Sequence, residues 1–217
     1  MEVFANRREA GRRLAEQLRD ESSVIAASRV VVLGIPRGGL PVGAEVANRL
    51  GVPLDVALVR SLRTPANPEL GFGSVDAAGH VEIDEAMVER LGISQEQIDA
   101  EVADRRASLQ QRLELYRAAI EPVDLSDACV VVVDDGIATG GTARKSCRYA
   151  RRAGAAHVVM AAPVAPPDVH ERLGDVVDDV VVLVTPPEFL AVAQVYEEYP
   201  TLDDASAVAA ARLAAHG

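Results

Sequence analysis

The chain has 217 residues, is 49% hydrophobic but only 3% aromatic, has no Trp, and carries a net charge of −11. That length suits one domain with a modest appendage, and a core built from Val, Ala, Leu and Ile rather than rings suits a parallel α/β sheet. A general nucleic-acid binder carries a basic face and aromatics for base stacking; this composition argues against nucleic acid as a partner.

Taken in chain order, Arg7 to Leu18 sets Ala10, Leu14, Ala15 and Leu18 on one side and predicts an amphipathic helix. Strand one is predicted at about Arg29 to Ile35, followed by a helix from Pro41 to Leu50 that Gly51 ends. Strand two runs from Leu54 to Arg60. Pro65 and Pro68 then mark a loop, and Gly71 to Val75 with His80 to Ile83 predict a hairpin around Asp76-Ala77-Ala78-Gly79. Glu85 to Ile120 is mostly helical with a break near Gly92, an N-cap at Ser94 and its capping-box partner at Gln97. There Ile98, Val102, Leu109, Leu113 and Tyr116 make an apolar stripe for packing rather than for a ligand. Strand three is Cys129 to Asp135, strand four His157 to Pro163, and strand five Asp179 to Thr185, with a short helix from Pro166 to Leu173. The tail from Pro186 to Tyr199 carries Phe189 and Tyr196, and an Ala-rich helix covers Asp203 to Ala214 with Asp203 near its cap.

Cys129 and Cys147 form neither a disulfide framework nor a metal spacing and read as small buried residues. His80, His157, His170 and His216 are scattered without a ligand spacing. The N-terminal stretch is polar and helical rather than a signal peptide, and no apolar run reaches the ~18–20 residues of a membrane span. A cytoplasmic protein with no membrane partner is expected.

The chemistry concentrates in Val130 to Thr142, VVVVDDGIATGGT. Four β-branched residues predict a strand buried on both faces, two acids end it, and a Gly- and Thr-rich loop leads into a helix. Gly136, Gly140 and Gly141 let main chain approach a ligand. Free N–H groups and the dipole at a helix start attract an anion, and Thr139 and Thr142 add hydroxyl donors. A phosphate monoester fits Gly136, Ile137, Ala138, Thr139, Gly140, Gly141 and Thr142. Asp134 and Asp135 would repel it, and make better sense turned to the 2′- and 3′-hydroxyls of a ribose. The implied ligand is a ribose 5-phosphate. The spacing matches neither a nucleoside-triphosphate P-loop nor a dinucleotide fingerprint. A second loop, Pro36-Arg37-Gly38-Gly39, follows strand one, with uncovered amides and a fork-shaped cation suited to phosphate.

VVVVDDGIATGGT resembles the phosphoribosyl pyrophosphate (PRPP) motif of type I phosphoribosyltransferases, and ATGGT looks most like the adenine-specific branch. VVVLGIPRGGL (Val30 to Leu40) is similar to the family's pyrophosphate loop, and VALVR (Val56 to Arg60) to the strand that ends in Arg-Lys. The three occur in the family's order, and the whole chain looks like an uncharacterised bacterial subgroup. The resemblance implies a doubly wound, mostly parallel five-stranded sheet, with the ligand at the carboxyl ends of its strands. A small hood from about 64–120 and 186–217 is expected to cover it, all within a single domain of 1–217. It implies a cis peptide between Pro36 and Arg37, pyrophosphate held by Pro36, Arg37, Gly38, Gly39 and Arg60, and Mg²⁺ without direct protein ligands. It also implies transfer of ribose 5-phosphate from PRPP to a nitrogenous, nucleobase-like acceptor with release of pyrophosphate, and a homodimer as the usual assembly.

Two positions depart from the family pattern. Ala138 stands where the hypoxanthine and guanine enzymes carry a third Asp, and Ser61 follows Arg60 where a Lys is expected, with Arg63 as the nearest replacement cation. No residue stands out as a general base. Glu69, Glu82 and Asp84 lie in the right region, and Phe72, Phe189 and Tyr196 are candidate stacking surfaces. The alternative reading is a non-catalytic module that binds PRPP or a nucleotide. A third reading, a phosphoribosyl-linked hydrolase with water as acceptor, would show as ribose phosphate formed without a base.

Overall fold

The computed structural model describes residues 3–64, 67 and 70–215. The loop prolines Pro65 and Pro68, with Glu69 and His216, lie outside the described residues. In chain order the elements are α1 (Arg7–Arg19), α2 (Ser22–Ala26), β1 (Val30–Gly34), α3 (Gly39–Leu50), β2 (Leu54–Val56), β3 (Val59–Arg63), β4 (Gly71–Asp76) and β5 (Val81–Ile83). Then come α4 (Glu85–Leu91), α5 (Gln95–Arg117), β6 (Cys129–Val133), α6 (Gly141–Arg152), β7 (His157–Val164), α7 (Val169–Leu173), β8 (Asp179–Val184) and α8 (Asp204–Ala215). The chain divides into two compact units, Met1–Ala57 with Tyr116–Gly217, and Leu58–Leu115.

The first unit holds a five-stranded sheet in the order β2-β1-β6-β7-β8, and every pairing is parallel. Alternate residues face opposite layers. Val32, Val131, Val133, Val159 and Ala161 pack under Leu14, Ala15 and Leu18 of α1 and Val42 and Val46 of α3. Val31, Leu33, Val130, Val132, Val158 and Met160 pack under Ala143, Cys147 and Ala150 of α6 and Val169 and Leu173 of α7. Both faces are covered, which is why these strands read as unbroken apolar runs. Glu45 of α3, itself buried, ties down α1 by accepting from Arg8 at 2.7 Å and Arg12 at 3.3 Å.

The segment after β8 also packs in the first unit. Phe4 pairs with Tyr196 as an isolated parallel bridge, and Phe4, Ala10, Val164, Val195 and Tyr196 form a small core of their own. Tyr116 donates to Asp204 at 2.6 Å at the start of α8. The segment 186–215 lies in the first unit, and 58–115 makes up the second.

The second unit carries an antiparallel sheet, β3-β4-β5. Its hairpin turn is set by Asp76, whose carboxylate accepts from Ala78 N and His80 N, both at 3.0 Å. The capping box forms as expected: Ser94 N donates to Gln97 Oε1 at 2.9 Å and Gln97 N to Ser94 Oγ at 3.3 Å. Strand two, expected from Leu54 to Arg60, is not one strand. The parallel ladder stops at Val56, Ala57 N makes a last bond to Gly34 O, and Val59–Arg63 pairs antiparallel with β4. Its residues from Val59 to Ser61 are only half-buried, as an antiparallel strand allows and a central parallel one does not.

Candidate active site

β1 and β6 are neighbours in register, Gly34 beside Val133, yet the helices that follow them, α3 and α6, cover opposite faces of the sheet. Their connecting loops part at the carboxyl edge, the geometry in which open α/β sheets bind ligands. The two loops remain in contact at their base, where Ile35 N donates to Val133 O at 2.8 Å. The closeness of this contact explains the glycine pair. A Cβ on Gly39 would fall 2.4 Å from Val133 O, and one on Gly38 would fall 1.9 Å from Asp135 Oδ2. The Pro36–Arg37 peptide is cis, as the resemblance implied. Arg37 is exposed, and its charge adds to the Ser206 hydrogen bonds that hold Asp203 below the usual carboxylate range.

The loop after β6 has two parts. Gly136 and Ile137 seat it: Ile137 is buried and its N–H donates to Val164 O at 2.9 Å, while Gly136 lies under the Val192 methyls. Ala138, Thr139, Gly140, Gly141 and Thr142 form the outer part. Gly140 takes φ 81° and starts α6 without any side-chain cap. Among the described residues, the main-chain N–H groups of Ala138 to Thr142 make no hydrogen bond to protein. Thr139 and Thr142 are exposed. Arg172 flanks the loop, 3.5 Å from the carbonyls of Ala138 and Thr139. Bare amides, a helix start and an adjacent guanidinium make an anion cradle.

The two acids are not equivalent. Asp134 is half-buried and accepts from Asp135 N at 2.9 Å. Burial, and then the negative charge of Asp135, push its carboxyl well above the usual carboxylate range. Asp135 is buried, and its Oδ2 takes Arg7 Nε at 2.7 Å and Tyr199 Oη at 2.9 Å. Tyr196 Oη donates to the Asp135 carbonyl at 2.7 Å. Arg7 also donates to Pro200 O at 2.9 Å and lies 3.9 Å over the Tyr199 ring. Burial first, then the Asp135 charge, drive both tyrosine hydroxyls upward, so they stay protonated donors.

Arg7 and Tyr199 are site residues that sequence reasoning missed, and Tyr196 was expected as a stacking surface rather than as a donor to the Asp135 carbonyl. For Arg7 there was a signal. It lies in phase with the buried stripe Ala10, Gly11, Leu14, Ala15 and Leu18, and an Arg at such a position needs a buried acid. Tyr199 carried none.

Arg60 sits on β3 in the second unit, in register with Val75. Phe72 is fully buried and Tyr196 is 7% exposed, so neither offers a free ring face, and Phe189 packs on the Phe4 cluster. Glu82 lies on β5, and Asp84 caps α4 by accepting from Met87 N at 2.9 Å. Among the described residues, no group of three or more His, Cys, Asp or Glu side chains converges to hold a metal ion, and no helix is long and apolar enough to cross a membrane.

Against known proteins, the description "Phosphoribosyl transferase domain" matches residues 2–199. A Mycobacterium tuberculosis protein (strain H37Rv), provisionally named a phosphoribosyl transferase, is 40% identical over 209 residues, covering 96% of this chain and 46% of its own length; its counterpart in strain CDC 1551 matches equally. The chain thus spans about half the length of these curated relatives. The crystal structure of TT1426 from Thermus thermophilus superposes with a TM-score of 0.84 at 36% identity, covering 98% of this chain and 99% of that one. The chain belongs to the phosphoribosyl transferase domain family.

Proposed function

We propose that this chain transfers ribose 5-phosphate from PRPP to a nitrogenous base and releases pyrophosphate. The observation that carries the reading is the set of bare amides from Ala138 to Thr142, at the start of α6 and one loop away from Gly38 and Gly39. The 5′-phosphate would sit on those amides beside Arg172. The ribose diol would lie on the Asp134 side of the acid pair, and the pyrophosphate along Arg37, Gly38 and Gly39. Arg60 remains a proposed pyrophosphate ligand from the resemblance.

Mg²⁺, as the resemblance implies, would be held chiefly through the substrate's own oxygens, which is how Mg²⁺ sits at substrate phosphates. It would supply charge neutralisation for the departing pyrophosphate. The protein's part is to fix both phosphates so that the anomeric carbon faces the incoming nitrogen. Fixed dipoles then meet the charge that develops on the leaving group.

The test is to incubate the protein with Mg²⁺ and PRPP, survey nucleobases for pyrophosphate release, and measure PRPP binding by calorimetry in wild type and Asp134→Asn. Pyrophosphate release with one base, and lost binding in the variant, supports the reading; undiminished binding in Asp134→Asn refutes the site. Ser61, standing where the family pattern has Lys, favours a second reading, a regulatory module that binds PRPP without turnover. PRPP binding with no release across the survey would decide for it.

A further inference from the structure

The paired acids of the motif look interchangeable in sequence, yet Asp135 is the one already bound by protein side chains, through Oδ2. Its side chain is 10% exposed. Oδ2 already takes Arg7 Nε and Tyr199 Oη. The rest of the carboxylate lies flat on Gly38, so close that a Cβ there would sit 1.9 Å from Oδ2, 2.3 Å from Cγ and 2.6 Å from Oδ1. Arg7 is itself held by the Pro200 carbonyl and the Tyr199 ring. The cluster therefore joins the start of α1, the segment ahead of α8, the loop after β6 and the Pro36–Gly39 loop.

We propose that Asp135 is a positioning residue rather than a ribose ligand: Arg7 and Tyr199 clamp its carboxylate against Gly38 and so set the conformation of the pyrophosphate loop. The inference rests on the PRPP reading above. It divides the labour between the acids, leaving Asp134 to face the diol. Arg7 and Tyr199 touch no substrate and act through Asp135.

The readout is calorimetric affinity for two probes, ribose 5-phosphate and Mg²⁺-pyrophosphate, on the full chain. Wild-type binding of PRPP is measured alongside. Tyr199→Phe removes one hydroxyl and Arg7→Lys keeps the charge but not the fork, so both are gentle; circular dichroism checks the fold of each. Both variants, and Asp135→Asn, are expected to weaken pyrophosphate about tenfold while ribose 5-phosphate stays within about twofold of wild type. Asp134→Asn should do the reverse. Arg7→Lys combined with Asp135→Asn should bind no worse than Asp135→Asn alone, because the two act in series. A purely structural role would lower both affinities together, and would overturn the proposal. A folded Asp135→Asn that loses ribose 5-phosphate as Asp134→Asn does would overturn it too, while leaving the PRPP reading intact. A wild-type chain that ignores PRPP would bring down that reading and this inference with it.

Discussion

Gly39 and Gly141 both belong to phosphate-loop motifs, and both are first residues of helices, yet the structure assigns their substitution opposite signs. At Gly39 an added Cβ would meet Val133 O at 2.4 Å and Asp134 Cα at 2.8 Å. Both atoms are main chain at the end of a central strand, so no side chain can rotate away. Restoring an ordinary contact needs about 1 Å of separation between the Pro36–Gly39 loop and β6. Alanine gains at most about 1 kcal/mol of helix propensity, whereas overpacking of this kind costs about 1–3 kcal/mol. The expected result for Gly39→Ala is a net loss of about 1–2 kcal/mol, or a fall in Tm of about 2–8 °C for a chain this size. A shift of that size between the two proposed phosphate sites should also lower the proposed transfer about 100-fold. At Gly141 the nearest atom to an added Cβ is Thr139 Oγ1 at 3.8 Å, an ordinary contact. Gly141→Ala should leave Tm unchanged or raise it. Differential scanning calorimetry on the two variants decides the matter. A Gly39→Ala protein as stable as wild type, or a Gly141→Ala protein that loses several degrees, would refute the close-approach argument.

Asn6 caps α1 by accepting from Arg8 N at 3.0 Å and Glu9 N at 3.1 Å, so Asn6→Ala should cost about 1 kcal/mol in urea unfolding. Burial pushes the Cys129 thiol up to about 11 and the Cys147 thiol up to about 12, from an ordinary 9.0. Their raised native values add stability that is whole below pH 9 and lost as pH rises through 11 to 12; the urea midpoint should fall over that window, and fall less in a Cys129→Ala/Cys147→Ala variant. Because burial and Asp135 disfavour the ionised Asp134, Asp134→Asn should raise Tm at pH 7 while weakening the proposed PRPP binding, and a lowered Tm would show that the acid is not held at a cost.

The sheet was legible because both of its faces are buried. β1, β6 and β7 read as apolar runs of central strands and β8 as a Val-rich edge strand, and the structure places each within two residues of expectation. β2 was not, for a related reason. Leu54 to Val59 is one mostly apolar run, and nothing in it marks the point after Val56 where the chain leaves one sheet for another. α2 has five residues and no buried side chain, so it leaves no periodic trace. The anion loop was readable because glycine writes main-chain exposure directly into sequence. Arg7 was harder, since its partner Asp135 lies 128 residues away. Only its phase on the α1 stripe betrays it.

Two adjacent acids at the end of one strand pose an electrostatic problem that the fold solves unevenly. Both ionised and unpaired, they would repel at close range in a site already short of water. Successive residues leaving a strand point to opposite sides. One side here is occupied by α1 and the segment that follows β8, and Arg7 and Tyr199 reach Asp135 there. Burial, and then the charge of the adjacent Asp135, raise Asp134. Asp134, the half-buried member, accepts from the Asp135 N–H. A ligand hydroxyl that donates to Asp134 would favour its ionised form. On the proposed function, Arg7 and Tyr199 set the two acids apart by binding Asp135, and Asp134 is the member left to a diol.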